Sequence, residues 1–468
     1  MINKKMVIYN TLSKKKDVIK PIKGKKINLF VCGPTVYDFS HIGHARTYVF
    51  FDAFVRYLRG RGFTVFYLQN ITDIDDRIIQ RAREKGVPIK DLADAFTKEY
   101  LKNMKALGIT SVNKYAKATD YIKEIISQIQ RLQKKRYAYS LDDGIYFDIL
   151  KFKNYGKLSG RTVLESEDSV SRIDYSKNKR NRGDFCLWKF KVEGEPFWPA
   201  PFGAGRPGWH TEDTAITETF FGAQYDIHGG GRDLIFPHHE AEITQMEAIS
   251  GKKPMARYWM HTGFLTMDEQ KMSKSLGNFI VIDDFLKRYS PQQLRFWITK
   301  NLWHSPIDYS ESVMIEVKMS LEKIEEFLRK LKVIKSKVRG VTDGKLLKTA
   351  KDDFYTALAD DFNTPKAFAV IFEFIKEINK LLDQNLVGKK AAKDISAFFV
   401  EINTMFDIID FKKLKTSNVP HEVSELVKTR EQYRKVQNWE KSDEIRHEIE
   451  KYGFSVDDTK DGTVLKKM

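Results

Sequence analysis

The feature that most constrains the fold is a strand, a helix and a second strand that follow one another near the start of the chain. Residues 26–32 form an apolar run stopped by a Gly-Pro pair, which predicts a buried parallel strand. Apolar residues then recur at helical spacing between His44 and Gly60, and residues 63–69 alternate like a strand. This order predicts the opening of a Rossmann-type unit.

A second half of the same sheet is predicted further along the chain. An apolar, glycine-rich series runs from Tyr225 to Gly231 and precedes a helix that we expect to begin at Pro237, since proline is favoured at the first helical position. The stretch between the halves, residues 121–207, has the pattern of short strands and turns. We therefore expect it to be an insertion.

Helical patterns dominate after residue 310. An apolar stripe over residues 321–334 predicts one helix, and Thr364 followed by Pro365 marks the cap and first position of another. A charged helix over residues 423–451 and a hairpin over residues 454–465 end the chain. The predicted fold is α/β: a split Rossmann-type parallel sheet catalytic domain with an inserted subdomain, followed by a helical bundle and a small C-terminal α/β unit.

Composition limits the partners and the compartment. The chain has 80 basic and 63 acidic residues, and the excess lies in residues 1–310, which hold 50 basic against 35 acidic side chains. Such a field attracts a polyanion. Only Cys32 and Cys186 are present, which excludes a disulfide framework, and we expect Cys186 to serve core packing. Without an apolar run of eighteen residues, we expect a cytoplasmic protein that makes no membrane contact.

Two short motifs carry chemistry. His41-Ile42-Gly43-His44 lies between a strand and a helix, where backbone N–H groups favour an anion and imidazoles at i and i+3 can face one phosphate. A basic loop, KMSKSLGN at residues 271–278, offers Lys271 and Lys274 to neutralise charge on a pyrophosphate leaving group. Either motif alone is a weak signal, whereas the two in this order across a split Rossmann pattern are a strong one.

Together the motifs resemble the HIGH and KMSKS signatures of class I aminoacyl-tRNA synthetases. The surrounding residues are similar to the cysteinyl-tRNA synthetases nearly end to end. The segments that carry this second resemblance are FVCGPTVYD at 30–38, NITDIDD at 70–76, GRPGWH at 205–210, residues 226–240 and DDFNTP at 360–365.

The resemblance implies ATP-dependent activation of L-cysteine to an adenylate and its transfer to the terminal ribose of tRNA-Cys. Mg²⁺ would accompany ATP, and the enzyme would be a monomer. The implied catalytic residues are His41, His44, Lys271 and Lys274. The implied ATP contacts are His41, His44, Gly229, Gly230, Gly231 and Lys274, and the implied walls of the amino-acid pocket are Thr72 and Trp209.

The resemblance also assigns a role to each predicted domain. The expected limits are a first Rossmann half at 1–120, a connective insertion at 121–207, a second Rossmann half at 208–262, a KMSKS loop and stem-contact region at 263–315, a helical tRNA-binding bundle at 316–415 and a small anticodon-side unit at 416–468.

A metal site is predicted from three side chains. His238 and Glu242 lie four residues apart in the helix expected from Pro237, so they share a face, and Cys32 ends the first strand at the sheet edge. On the same reading His239 and Glu240 point elsewhere. The resemblance implies that Cys32, His238 and Glu242 are zinc ligands.

The fourth zinc ligand is where this sequence departs from its relatives. The family has a cysteine at the position occupied here by Asp213. Aspartate keeps the negative charge, and its oxygen binds zinc at about 2.0–2.2 Å against about 2.3 Å for a thiolate. A mixed site with one Zn²⁺ per chain is therefore chemically reasonable, although its ligands are harder, in the hard–soft sense, than those of the usual site. The alternative is that the metal has been lost.

Two other functions stay open at this point. A cysteine ligase of the mycothiol-biosynthesis type has the same catalytic half but needs no anticodon-reading end, and about 150 residues follow the KMSKS region here. A catalytically silent RNA-binding paralogue is the second alternative, favoured only by Asp213.

The selectivity for cysteine over serine also depends on the metal, because pocket shape alone rejects a hydroxyl isostere poorly whereas zinc prefers a thiolate.

Overall fold

A parallel sheet of five strands forms the centre of the catalytic region. The structure, a computed structural model, describes residues 5–161, 178–267, 270–271, 279–334, 344–415, 421–459 and 462–467. In spatial order the strands of the central sheet are Ala256–Thr262, Tyr225–Gly231, Lys26–Val31, Thr64–Ile71 and Lys114–Lys117. The strands from the two halves of the sequence meet where Lys26–Val31 pairs with Tyr225–Gly231. The predicted split Rossmann-type sheet is confirmed.

The order of the sheet reverses at this central pair of strands. From Lys26–Val31 the chain adds strands in one direction, and from Tyr225–Gly231 it adds them in the other. Such a switch point leaves a crevice at the carboxyl ends of the strands, where open α/β sheets bind ligands. Cys32 follows the first of these strands directly, and its amide donates to the Gly229 carbonyl at 2.9 Å.

Helices flank this sheet. The first of them is apolar on most sides and buried along nearly its whole length, because Phe51, Phe54, Val55 and Leu58 pack inward. The helices of the catalytic region are Ile42–Gly60, Asp76–Lys85, Ile89–Ala106, Ile122–Lys134, Glu212–Phe221, Glu240–Ser250, Ile282–Arg288 and Pro291–Thr299, with 3-10 turns at Ala118–Tyr121, Ile149–Lys151 and Arg232–Leu234.

Three small sheets complete the catalytic region. Cys186 is buried in the inserted one, beside Tyr139 and Tyr146, in a packing position as expected. The inserted antiparallel sheet consists of Ala138–Ser140, Gly144–Phe147, Phe185–Phe190 and Gly205–Pro207. The others are the pair Val7–Asn10 and Lys15–Val18, and the set Gln270–Lys271, Leu265–Met267 and Ile307–Tyr309.

The C-terminal part is helical and ends in a hairpin. Its helices are Glu311–Lys332, Lys345–Ala359, Thr364–Asp383, Lys389–Phe406, Phe411–Lys415, His421–Lys435 and Trp439–Lys451, and its strands are Phe454–Thr459 and Gly462–Lys467. The chain divides into two compact units, Met1–Ile409 and Asp410–Met468. Among the described residues, no helix combines the length and apolar character needed to cross a bilayer.

The helix expected to begin at Pro237 begins later, and that prediction was wrong. A wide turn covers Ile235–His239, and the regular helix runs over Glu240–Ser250. Phe236 is extended, with φ −139° and ψ 133°, which interrupts helical geometry just before the proline. His238 therefore stands in the turn, while Glu242 stands in the first turn of the helix.

Three further features of the secondary structure differ from prediction. The charged C-terminal helix is two helices, because Gln437 takes a left-handed φ of 57° and Asn438 caps a new helix by accepting from the Lys441 amide. Asn363, rather than Thr364, caps the helix that carries Pro365. The insertion also contains the helix Ile122–Lys134, whose apolar face sequence reasoning overlooked.

Candidate active site

A cavity of about 600 Å³ opens at the switch point of the central sheet. Its walls come from the carboxyl ends of four strands of the central sheet and from the start of the helix Ile42–Gly60. Several residues singled out from sequence meet there although they are distant along the chain. They are Cys32, His41, His44, Thr72, Trp209 and Gly231.

The two histidines of the first motif cap the helix that forms one wall. His41 Nδ1 accepts from the Gly43 amide at 3.1 Å, and His44 Nδ1 accepts from the His41 amide at 3.2 Å. Their rings stack at 4.0 Å. A Cβ on Gly43 would stand 2.8 Å from the His41 ring, so glycine is what lets the ring fold back. Both imidazoles are thereby held at a helix N-terminus, where an anion is stabilised.

A buried cluster of potential metal ligands lies at the base of the cavity. Cys32 Sγ is 3.4 Å from Asp213 Oδ2 and 3.7 Å from His238 Nε2, and His238 Nε2 is 3.0 Å from Asp213 Oδ2. Ligands of a tetrahedral zinc ion stand roughly 3.3–3.8 Å apart, given bond lengths of about 2.0–2.3 Å. The three atoms are therefore spaced much as one small cation requires.

Glu242 adjoins this cluster at His238 and also lies close to His228 and His239. Its Oε1 is 3.1 Å from His238 Nε2, and within the part of the chain that the structure describes neither of its oxygens has a hydrogen-bond donor. The same holds for the buried Asp213 Oδ1. Burial, followed by the charge of Asp213, raises the pKa of Glu242, and burial followed by the same charge raises the pKa of the Cys32 thiol. Orphaned acceptors and crowded acids are what a bound cation would relieve.

The neighbours of His238 fix its ring. Its Nδ1 lies 2.9 Å from His210 Nδ1, and Trp209 stacks on it with ring centroids 4.6 Å apart. Gln245 in turn donates to the His210 carbonyl at 2.7 Å. Such outer contacts orient the imidazole of a metal ligand. Trp209 thus forms a cavity wall and supports His238 at once.

His239 was expected to point elsewhere, yet it faces Glu242. Its Nε2 is 4.0 Å from Glu242 Oε1, because residues three apart also share a helical face. Glu240 does point elsewhere: its carboxylate accepts from the amides of Gly156, Leu158 and Ser159 in the insertion. Glu240 therefore connects the insertion to the helix Glu240–Ser250.

Thr72 also lines the cavity, and it contacts a buried acid that sequence reasoning missed. Its hydroxyl donates to Glu212, which is completely buried. Burial, followed by the charge of Asp213, raises the pKa of Glu212. Arg77 was missed as well: it lines the cavity with its guanidinium 5.7 Å from the Trp209 ring. Each residue had a signal in the sequence: Glu212 is adjacent to Asp213, and Arg77 follows the acidic run at residues 70–76.

The three predicted adenosine-binding glycines differ in their surroundings. Gly231 lines the cavity. A Cβ on Gly229 would come 2.2 Å from Phe51 Cζ, and one on Gly230 would come 2.8 Å from His239. Close packing of the first helix on the sheet therefore explains Gly229 independently of ATP, and contact with ATP stays a prediction for all three.

Gly229→Ala is expected to lower the free energy of unfolding by about 1–3 kcal/mol, because the buried Phe51 ring has to move. Gly60→Ala is the matched control: it lies in the same helix as Phe51, and no atom of the described residues comes within 4 Å of its Cβ position. Urea unfolding of both variants measures the difference. Equal midpoints would contradict the packing role of Gly229.

The lysine loop is only partly described. Lys271 pairs in a short strand with Thr266, and Lys274 lies outside the described residues. The roles predicted for both lysines stay predictions.

Comparison with known proteins agrees with this arrangement. The family described as "tRNA synthetases class I (C) catalytic domain" matches residues 18–319, and the DALR domain matches residues 353–410. The "Cysteine--tRNA ligase" of Thermoplasma volcanium is 45% identical over 459 residues, covering 98% of this chain and 99% of that protein. That of Thermococcus gammatolerans is 42% identical over 472 residues, with coverages of 98% and 99%.

Solved structures agree in fold. Methionyl-tRNA synthetase of Mycobacterium tuberculosis, in complex with methionyl-adenylate, aligns with a TM-score of 0.59 at 16% identity, over 77% of this chain and 84% of that one. A LeuRS of Agrobacterium radiobacter K84, in a ternary complex, aligns with a TM-score of 0.62 at 11% identity, over 86% of each chain.

The sheet order, the paired histidines at the helix start and the matched catalytic domain define the class, a class I aminoacyl-tRNA synthetase. The relatives above match nearly every residue of the chain at more than 40% identity. Within that class, the chain belongs to the cysteine–tRNA ligase family.

Proposed function

We propose that this chain activates L-cysteine with ATP and transfers it to the 3′-terminal ribose of tRNA-Cys. One observation carries the proposal: the cavity that holds His41 and His44 also reaches a buried cluster of zinc-type ligands around Cys32. A nucleotide site and a thiol-selective site thus share one crevice. The DALR match and the basic excess of the first 310 residues support tRNA as the acceptor.

The nucleotide half of the reaction is assigned to the helix N-terminus and the lysine loop. His41 and His44 stand beside the α-phosphate of ATP and stabilise the charge that develops when the cysteine carboxylate attacks it. Lys271 and Lys274 neutralise the departing pyrophosphate. Mg²⁺ enters with ATP. Gly229, Gly230 and Gly231 are proposed to contact the adenosine.

The amino-acid half is assigned to the cluster at the cavity base. Cys32, Asp213, His238 and Glu242 are proposed to hold one Zn²⁺. The mutual spacing of the first three residues fits that ion, and Glu242 Oε1 lies 3.1 Å from His238 Nε2. When bound, zinc supplies a preference for a thiolate that shape alone cannot supply against serine. Thr72 and Trp209 wall the pocket that admits the side chain.

The tRNA ligase is favoured over both alternatives. A mycothiol-type ligase does not account for the match to relatives named "Cysteine--tRNA ligase" along 98% of the chain. Only Asp213 favours the silent RNA-binding paralogue. Asp213 Oδ2 lies 3.0 Å from His238 Nε2, close enough for both atoms to bind one metal ion. A monomeric state and a cytoplasmic location complete the proposal.

The test combines zinc content of the purified chain with cysteine-dependent ATP–pyrophosphate exchange, with serine as competitor. We expect zinc bound and a strong preference for cysteine. Pyrophosphate exchange by zinc-free protein would support the ligase activity but contradict the proposal that zinc provides the selectivity for cysteine. Neither zinc nor exchange would support the silent paralogue.

His44→Ala and Lys274→Ala are each expected to lower the pyrophosphate exchange rate roughly 10²-fold, the usual cost of removing one group that stabilises developing charge. Binding of tRNA-Cys, followed by filter retention, should stay within twofold of wild type. Lys105→Ala, in a surface helix, serves as control for the loss of one lysine. Parallel loss of exchange and tRNA binding would contradict the assigned roles.

A further inference from the structure

The side-chain amide of Asn70 connects parts of the proposed cysteine pocket that are distant in sequence. Asn70 lies near the carboxyl end of the strand Thr64–Ile71 and is completely buried. Its Oδ1 accepts from the Gly33 amide at 2.5 Å. Its Nδ2 donates to Thr72 Oγ1 at 3.3 Å and to Glu212 Oε1 at 3.5 Å. One side chain therefore bonds to residues on two further segments of the chain as well as on its own.

Two of these contacts are next in sequence to proposed metal ligands. Gly33 directly follows Cys32, and Glu212 directly precedes Asp213. The third contact, Thr72, lines the cavity and was assigned to the wall of the amino-acid pocket. The same amide thus lies at the point where the ligand-bearing segments meet that wall.

The side chain also spans a break in the backbone pairing of the sheet. The first two strands of the central sheet pair as far as Gln69, and pairing resumes where the Thr72 amide donates to the Pro34 carbonyl at 3.1 Å. Between these two points the Gly33 amide donates to the side chain of Asn70. Asn70 therefore holds the two strand ends together where they leave the sheet and enter the cavity wall.

The two ends of this bridge require different chemistry. The Gly33 amide is a donor and needs an acceptor, whereas Glu212 Oε1 is an acceptor that already receives the Thr72 hydroxyl. An asparagine offers a carbonyl oxygen and an NH₂ group side by side, so it satisfies both ends at once. An ionised aspartate has the same shape but only acceptors, and it would place a second carboxylate beside Glu212.

We propose that Asn70 is a positioning residue that fixes the width of the cysteine pocket by holding the segment after Cys32 against Thr72 and Glu212. The inference rests on the proposed function, because it names what Asn70 does for the cysteine half of that reaction. Asn70 acts through its neighbours rather than on the substrate itself. Its hydrogen bonds lie on the cysteine side of the cavity, so its removal should affect the binding of cysteine far more than that of ATP.

The test compares the KM values of the full-length Asn70→Ala variant for cysteine and for ATP in pyrophosphate exchange. We expect the KM for cysteine to rise about 10-fold, because the loss of an outer contact that orients a binding site costs about 10–100-fold. The KM for ATP should stay within twofold of wild type, and the preference for cysteine over serine should fall. An equal rise in both KM values, or no rise in either, would overturn the positioning role.

Asn103→Ala is the matched control. Asn103 is also buried, but its Nδ2 donates to the Glu99 carbonyl within its own helix at 2.8 Å. Its loss should leave both KM values unchanged. A rise in the KM for cysteine in this variant as large as that in Asn70→Ala would show that the loss of any buried asparagine has the effect, and would overturn the proposal.

Two further measurements complete the test. If Asn70→Ala fails to fold, Asn70→Ser takes its place: its hydroxyl can serve only one end of the bridge, so the KM for cysteine should still rise and that for ATP should not. Thr72→Val removes the hydroxyl and should add less in an Asn70 variant than in wild type, because both residues act through one network. Full additivity would contradict the proposal. Wild-type protein without exchange contradicts the proposed function instead.

Discussion

Replacing Asp213 by alanine is expected to strip the proposed zinc ion from the protein and to lower cysteine-dependent pyrophosphate exchange by about 10³-fold or more. Losing an outer-shell contact already costs about 10–100-fold in metal affinity, so losing a direct ligand should cost more. The side chain is completely buried and lies within 3.4 Å of Cys32 Sγ. Zinc content after dialysis and the exchange rate measure the two effects.

Two further substitutions at this position separate charge from shape. Asp213→Cys restores the family's ligand and is expected to retain exchange and to hold zinc more tightly, because thiolates suit zinc better than carboxylates do. Asp213→Asn keeps the shape but removes the negative charge, so it should behave like the alanine variant. Full zinc content and full exchange in Asp213→Asn would show that Asp213 is not a ligand.

The parts of the site set by strand ends and helix starts followed from sequence. Cys32 comes directly after a strand that an apolar run predicts, and His41 caps the helix that the next apolar residues predict. Both positions are fixed by local rules, and parallel strands bring their carboxyl ends together. His238 and Glu242 also come together, although the helix that was expected to carry both begins at Glu240.

The contacts of His228 and His239 with Glu242 did not follow from sequence. His228 lies within a buried strand, where a histidine gives no periodic signal, and its partner His239 stands in a turn made irregular by the extended Phe236. Their meeting depends on how the helix Glu240–Ser250 packs on the sheet, which is tertiary information. The break at Gln437 was missed for a related reason, since a left-handed glutamine has no strong local signature.

A buried ion pair joins the first helix to the helices that follow the catalytic sheet. Asp52 and Arg295 are 2.7 Å apart with almost no exposed surface, and Asp52 also accepts from the amides of Thr110 and Ser111. Arg295 continues the link by donating to the Phe406 carbonyl at 2.7 Å. Asp52→Ala is expected to cost about 3–5 kcal/mol, because it leaves the arginine buried without its charge partner.

The same pair sets a pH dependence. Burial raises the pKa of Asp52, but Arg295, Arg56 and Ser111 outweigh burial and bring it below its ordinary value of 3.8. A carboxyl whose pKa is lowered on folding stabilises the protein above its unfolded pKa and loses that contribution as pH falls through the lower, folded value. The stability gap between wild type and Asp52→Asn should therefore shrink below about pH 4.

Urea unfolding from pH 7 to pH 3 measures this gap. The double variant Asp52→Leu/Arg295→Met is the control: removing both charges together should cost less than Asp52→Ala alone, because no unpaired charge is left in the interior. If the double variant is at least as unstable as the sum of the two single variants, packing rather than the ion pair holds the helices together. If the gap is independent of pH, Asp52 keeps an ordinary pKa in the folded protein.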